Sequence, residues 1–196
     1  MRTLFVWNCL EYAPSQFRII RVPAGVYEQR ENGTYMLRVC FPAGGATAPH
    51  LRRLGEVAAK FGNGLVHTTM RQEFQIHCVL LDDIIPALRW LAEAGLSTKG
   101  GGGNTVRNIT ASVDSGVCRD AIFDVTPYAM GTSERLLADP LSLQLPRKYK
   151  IAFAACDKDF SGATVLHRAQ TKRRGRLCGL CRRRHGRQNP AGQPAA

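Results

Sequence analysis

Between residues 35 and 94 the spacing of apolar residues switches from two to three or four, returns to two, and switches again. This alternation fixes an order of elements before anything else is known. Residues 35–41 (YMLRVCF) alternate, are rich in strand formers, and are closed by Pro42-Ala43-Gly44-Gly45. In residues 49–61, Leu51, Leu54, Val57, Ala58 and Phe61 recur at helical spacing, and Gly62 ends the run. Residues 65–69 and 73–80 read as two short strands. Asp82 and Asp83 then open a helix that places Ile84, Ile85, Leu88 and Leu91 on one stripe and stops at Gly95. Strand, helix, strand, strand, helix is the order of a compact α+β unit.

That unit is expected over residues 25–98 as a ferredoxin-like half domain, preceded by an extension at 1–24. The four glycines at 100–103 read as a flexible break and a domain boundary, since no Gly-Lys-Ser/Thr follows to make them a phosphate loop. Beyond them, residues 105–111 are expected as a strand, 121–137 as a helix interrupted by Pro127, and 149–155 (YKIAFAA) as a buried strand. These belong to the beginning of a second α+β domain over 99–165. From Leu166 the periodicity ends, and residues 166–196 are expected to be a disordered basic tail.

The formal charge of +12 resembles that of a nucleic-acid-binding protein until it is located. Nine of the 27 Lys and Arg lie at or beyond Arg168, where there is no acid, which leaves 18 against 15 acids elsewhere. Nucleic-acid binding through the tail is therefore a rival reading of the tail alone, and the tail lacks aromatic residues for base stacking. The seven cysteines are odd in number and scattered, so a disulfide framework is not expected. No apolar run approaches the roughly 18 residues of a membrane span, and the start lacks the pattern of an export signal. A cytoplasmic location without membrane contact is expected.

Four segments set cations at strand ends or beside glycines: residues 37–39 with Arg38, 68–72 with Arg71, 104–108 with Arg107, and 145–150 with Arg147, Lys148 and Lys150. Arg38 interrupts an apolar strand, where an unpaired charge is costly, so it must face solvent, a carboxylate or an anionic ligand. Strand alternation puts Lys148 and Lys150 on one face, where two ammonium groups repel unless an anion lies between them.

In this order and spacing the four segments resemble the sirohaem-containing sulfite and nitrite reductase family. Residues 69–77 are similar to its T-x-R-Q-x-x-Q-x-H motif, and residues 106–109 (VRNI) to its second arginine segment. Residues 145–150 (LPRKYK) resemble its L-P-R-K-[FY]-[KN] motif, and residues 156–163 the stretch beyond; the likeness runs from about Gly25 to Val165. The resemblance implies that Arg38, Arg107, Lys148 and Lys150 form a pocket for the substrate anion. It implies that Thr69, Arg71, Gln75 and Arg147 hold the carboxylates of sirohaem. The reaction implied is six-electron reduction of sulfite or nitrite, with electrons from a ferredoxin or a flavoprotein. Lys150, where the nitrite enzymes resemble Lys-x-Asn, favours sulfite.

The chain departs from the family in its cysteines. The C-x5-C and C-x3-C pair that holds the family's [4Fe-4S] cluster is absent, and Cys178-Gly179-Leu180-Cys181 is a lone C-x-x-C. The tail around residues 183–189 can be encoded so that a one-base shift reads Gly-Gly-Met-Gly, which resembles the family's next segment. A frameshift after about Val165 is therefore expected, with a truncated chain inactive by itself.

Overall fold

The computed structural model describes residues 14–119, 121 and 123–154, together with the backbone of 166–172 and 176–182. The expected α+β order is present. Helix α1 (Pro14–Arg21) leads into strands β1 (Val26–Glu28) and β2 (Thr34–Cys40), helix α2 (Ala48–Phe61), strands β3 (Val66–Thr68) and β4 (Glu73–Leu80), and helix α3 (Ile84–Glu93). The four strands form one antiparallel sheet in the order β1-β2-β4-β3.

The two faces of this sheet differ because side chains alternate along each strand. Leu37, Val39 and Ile76 point to one side and meet Leu54, Val57, Ala58 and Phe61 of α2 and Ile84, Ala87 and Leu91 of α3, all buried. Facing residues of paired antiparallel strands share a side. The registers Cys40↔Glu73, Arg38↔Gln75 and His67↔Gln75 therefore gather Arg38, Cys40, His67, Glu73 and Gln75 on the opposite face. The charged residue that looked misplaced in an apolar strand belongs to this polar platform.

One cation ties α1 to the sheet. Arg21, at the end of α1, is 5 % exposed, donates to the carbonyl of Val26 at 3.3 Å, and pairs with Glu28 at 2.6 Å.

Strand β5 (Thr110–Ala111), helix α4 (Thr126–Ala138) and strand β6 (Ala152–Phe153) surround a second core of Val106, Ile109, Ala111, Val125, Ala129 and Phe153. Strands β5 and β6 pair in parallel, and a further parallel bridge joins Val106 to Tyr149. Three local expectations change. The strand expected over 105–111 is regular only at Thr110–Ala111, although the N–H groups of Arg107, Thr110 and Ser112 still reach the carbonyls of Tyr149, Ile151 and Phe153. Pro127 does not interrupt α4 but lies in its first turn, where its missing N–H costs nothing. The glycines at 100–103 are a point of close packing and not a flexible break. Gly100, Gly101 and Gly102 are buried, and a Cβ at Gly101 would lie 2.9 Å from the carbonyls of Arg38 and Thr98.

Within the tail expected to be disordered, β7 (Leu166–Lys172) and β8 (Arg176–Arg182) pair as an antiparallel hairpin. Backbone pairing satisfies N–H and C=O groups without any apolar periodicity, which is why the pattern did not announce it. The frameshift expectation for residues 183–189 lies outside the described residues. No helix among the described residues is long and apolar enough to cross a membrane.

Candidate anion-binding site

The polar face of the sheet is covered by the start of the second unit, and this contact builds the site. In the turn between β3 and β4 the Thr69 hydroxyl accepts the backbone N–H of Arg71 at 3.3 Å and of Glu73 at 3.2 Å. The turn so formed sends Arg71 across to the carbonyls of Asn108 at 2.7 Å and Ile151 at 3.4 Å. Gln72, at φ 55°, adds a strand-like pair: its Nε2 donates to the carbonyl of Ala111 at 2.8 Å and its Oε1 accepts the Ala111 N–H at 3.1 Å.

Arg107 comes from the second unit. Its backbone N–H is held by the carbonyl of Tyr149 at 2.9 Å, and its guanidinium donates to the carbonyl of Gly101 at 2.5 Å. It is 8 % exposed and lies 3.7 Å from Glu73 Oε1, while Arg38 reaches Glu73 Oε2 at 3.5 Å. The Arg38 guanidinium also lies 5.2 Å from the centre of the Tyr27 ring. Of the three environments open to Arg38 from the sequence, it takes the carboxylate.

Lys150 stands on the run leading into β6, close to the same arginines. Its pKa is lowered first by burial, then by the charges of Arg71, Lys148 and Arg107. Glu73 shows the opposite response: burial pushes its carboxyl up, against the pull of Arg38, Arg107 and Arg71. Burial also lowers the pKa of Arg71.

The fold thus brings Arg38, Thr69, Arg71, Gln75, Arg107 and Lys150 to one place. Gln75 lies on the platform directly opposite Arg38. Lys148 is exposed but near enough to act on Lys150, whereas Arg147 is exposed and is not among the charges acting there. The sequence did not single out Glu73, Asn108 or Gly101. Glu73 had a legible signal, being two residues from both Arg71 and Gln75 in an alternating run.

Arg38, Arg71 and Arg107 each keep a buried Nε without a hydrogen-bond partner. Unfilled donors on neighbouring guanidinium groups fit carboxylates or a small oxyanion, and so fit the anionic side chains of sirohaem. The donor set does not fit an iron–sulfur cluster. Among the described residues no three His, Cys, Asp or Glu side chains gather to hold a metal. Burial and the charge of Glu73 push the Cys40 thiol up to about 12, away from the thiolate a metal needs.

Two family models match the chain. The nitrite/sulfite reductase ferredoxin-like half domain matches residues 27–94, and the nitrite and sulphite reductase 4Fe-4S domain matches residues 102–165. The ferredoxin–nitrite reductase of Leptolyngbya laminosa is 33% identical over 155 residues, covering 76% of this chain and 30% of that protein. Sulfite reductase [ferredoxin] 1 of Mycolicibacterium paratuberculosis is 28% identical over 145 residues, covering 65% of this chain and 26% of that one. The chain therefore spans under a third of the length of these curated relatives. The solved structure of the Mycobacterium tuberculosis NirA protein superposes with a TM-score of 0.76 at 23% identity, covering 86% of this chain and 34% of that chain. At that identity the likeness is one of fold.

Proposed function

The chain belongs to the nitrite and sulfite reductase family, and from that premise we propose that its arginine-lined platform binds a small oxyanion beside the carboxylates of sirohaem. The observation that carries the reading is the trio of buried, partnerless Nε atoms on Arg38, Arg71 and Arg107. Water is largely excluded there, so fixed guanidinium groups attract an anion more strongly than they would at the surface.

When bound, sirohaem supplies the iron and the electron path of a six-electron reduction. The protein groups do the rest. Arg71, anchored to the carbonyls of Asn108 and Ile151, presents a guanidinium of fixed direction to a cofactor carboxylate, with Thr69 setting the turn that aims it and Gln75 on the platform opposite Arg38. Arg38, Arg107 and Lys150 hold the oxyanion and stabilise negative charge on its oxygen atoms. Lys150, its ammonium destabilised by burial and then by three cations, is the group best suited to give up a proton when an oxygen leaves as water. Lys148 assists from the rim, and Arg147 meets the cofactor from solvent. Electrons would come from a ferredoxin or similar donor, as the names of the relatives imply for those proteins.

Sulfite is the preferred anion on this reading, carried by Lys150. Nitrite is the second reading, supported by a nitrite reductase as a 33% identical relative. The test is a titration of the full chain with metal-free uroporphyrin, an octacarboxylate, and separately with sulfite and nitrite. Saturable binding that falls at least tenfold in Lys150→Gln supports the site. Equal binding by wild type and by the variants Lys150→Gln and Arg71→Lys would remove it. Competition between the two oxyanions ranks them.

A further inference from the structure

The proposed chemistry makes no use of the best-buried charge on the platform. Glu73 is 1 % exposed. Its two oxygens lie 3.5 Å from Arg38 and 3.7 Å from Arg107, beyond the roughly 2.7–2.9 Å of a charge-assisted hydrogen bond. Oε1 has no hydrogen-bond partner, and neither has the Nε of Arg38, Arg71 or Arg107. One buried anion thus faces one buried cation, Arg107, and two half-buried ones, Arg38 and Arg71, attracting all of them without saturating any. Such a carboxylate keeps guanidinium groups gathered in the absence of ligand, and its contacts are loose enough to be exchanged for better ones.

We propose that Glu73 is the positioning residue of the anion site: it holds Arg38 and Arg107 until an anionic ligand takes them over, and binding is accompanied by net uptake of solvent proton at Glu73. The carboxylate becomes a neutral carboxylic acid, and the added proton offsets one unit of the negative charge brought in by the ligand. This rests on the anion-binding reading above and adds to it a residue and a proton.

The physical reason is the arrival of a second negative charge in a space already dry. A like charge disfavours the ionised form, and burial has already pushed the Glu73 carboxyl up. The groups on this side of Glu73 come from every neighbouring element: Arg38 and Cys40 from β2, His67 from β3, Thr69 and Arg71 from the turn before β4, Arg107 from the run before β5, and Lys150 from the run before β6. Cys40, at about 12, remains a thiol throughout the neutral range. Lys150, and sulfite itself, which interconverts with bisulfite near neutrality, can also exchange a proton, and comparison of wild type with Glu73→Gln separates them from Glu73.

The experiment is calorimetric titration of the full chain with metal-free uroporphyrin, and separately with sulfite. It is run at matched pH in two buffers of different ionisation heat, across about pH 5 to 8. Wild type is expected to take up a measurable fraction of a proton per ligand. Glu73→Gln is expected to lose that uptake and to bind roughly tenfold tighter at the alkaline end, the gap closing at the acid end, a difference equal to one pKa unit of coupling. Undiminished uptake in Glu73→Gln, or weaker binding by it at every pH, overturns the proposal. Should that variant fail to fold, infrared difference spectra of wild type with sulfite decide: a new protonated-carboxyl band supports the assignment and its absence overturns it. Wild type that binds neither probe removes the anion site itself, and this role with it. Wild type that binds without proton uptake removes only the role of Glu73.

Discussion

Asn108 and Arg71 each bind the other's backbone: the Asn108 side-chain amide donates to the carbonyl of Arg71 at 2.8 Å, and the Arg71 guanidinium donates to the carbonyl of Asn108 at 2.7 Å. The same amide also reaches the carbonyls of Phe41 at 2.9 Å and Gln72 at 3.1 Å. The two N–H groups of one side chain are thus shared among three carbonyls of the first unit, and the joint between the units is also the wall of the proposed anion site. Stability and binding are coupled here by construction.

Asn108→Ala should therefore cost about 2–3 kcal/mol, the magnitude expected when buried acceptors lose their donor. Urea denaturation measures the loss, and hydrogen exchange should quicken at residues 70–73 and 108–111 together. Quickening on one side only would mean that the two units are not joined through this residue.

The parts of the fold that depend on local spacing were legible in the sequence. The period of the apolar residues gave β2, α2, β4 and α3 nearly to their ends, and the lone charge of Arg38 in an apolar run called for a partner, which Glu73 supplies. Partners fixed by distant pairing were not legible. Glu73 is buried because β4 lies beside β2 and because Arg107 arrives from 34 positions further along, which no local pattern encodes. Strand β1 has three residues, too few for a period to show. The glycines at 100–103 looked like a linker because glycine has two opposite uses. Here they allow close approach of backbone to backbone rather than freedom of the chain.

Gly101 is the sharpest instance. Its carbonyl accepts from Arg107, and its Cα leaves no room beyond the carbonyls of Arg38 and Thr98, both 2.9 Å from an added Cβ. Since those neighbours are backbone, Gly101→Ala must shift the loop and with it the guanidinium of Arg107. Uroporphyrin binding should weaken at least tenfold, with a stability loss of about 1–3 kcal/mol. Unchanged binding at reduced stability would show that Arg107 does not depend on this carbonyl for its position.

Lys150→Gln separates binding from stability in the other direction. The ammonium is pressed by Arg71, Lys148 and Arg107, so its removal relieves repulsion while taking a cation from the site. Denaturation midpoints should stay level or rise, while sulfite affinity drops and the salt dependence of binding becomes shallower. A lowered midpoint would mean that Lys150 holds the fold and not the anion.

The remaining prediction concerns pH and lies at the edge of the platform. The Cys78 N–H donates to Gln29 Oε1 at 2.7 Å, which fixes that oxygen as the acceptor and turns the Gln29 amide nitrogen toward His77 Nδ1 at 3.1 Å. Nδ1 must then accept, so the His77 ring is neutral with its proton on Nε2. The ring also lies 4.7 Å from that of His67. Protonation would set an N–H against the Gln29 amide donor. Burial, and after it the charge of His67, lowers the His77 pKa from its ordinary 6.5. In the window below 6.5 the unfolded chain binds more protons at this position than the native one, so stability increases as pH rises through that window. This contribution is present above 6.5 and is lost as pH falls through the lowered native value. His77→Gln should flatten the slope of unfolding free energy against pH between about 5 and 6.5, leaving the slope above 7 unchanged, as denaturant melts at stepped pH would record. An unaltered acid slope would assign that titration to another group.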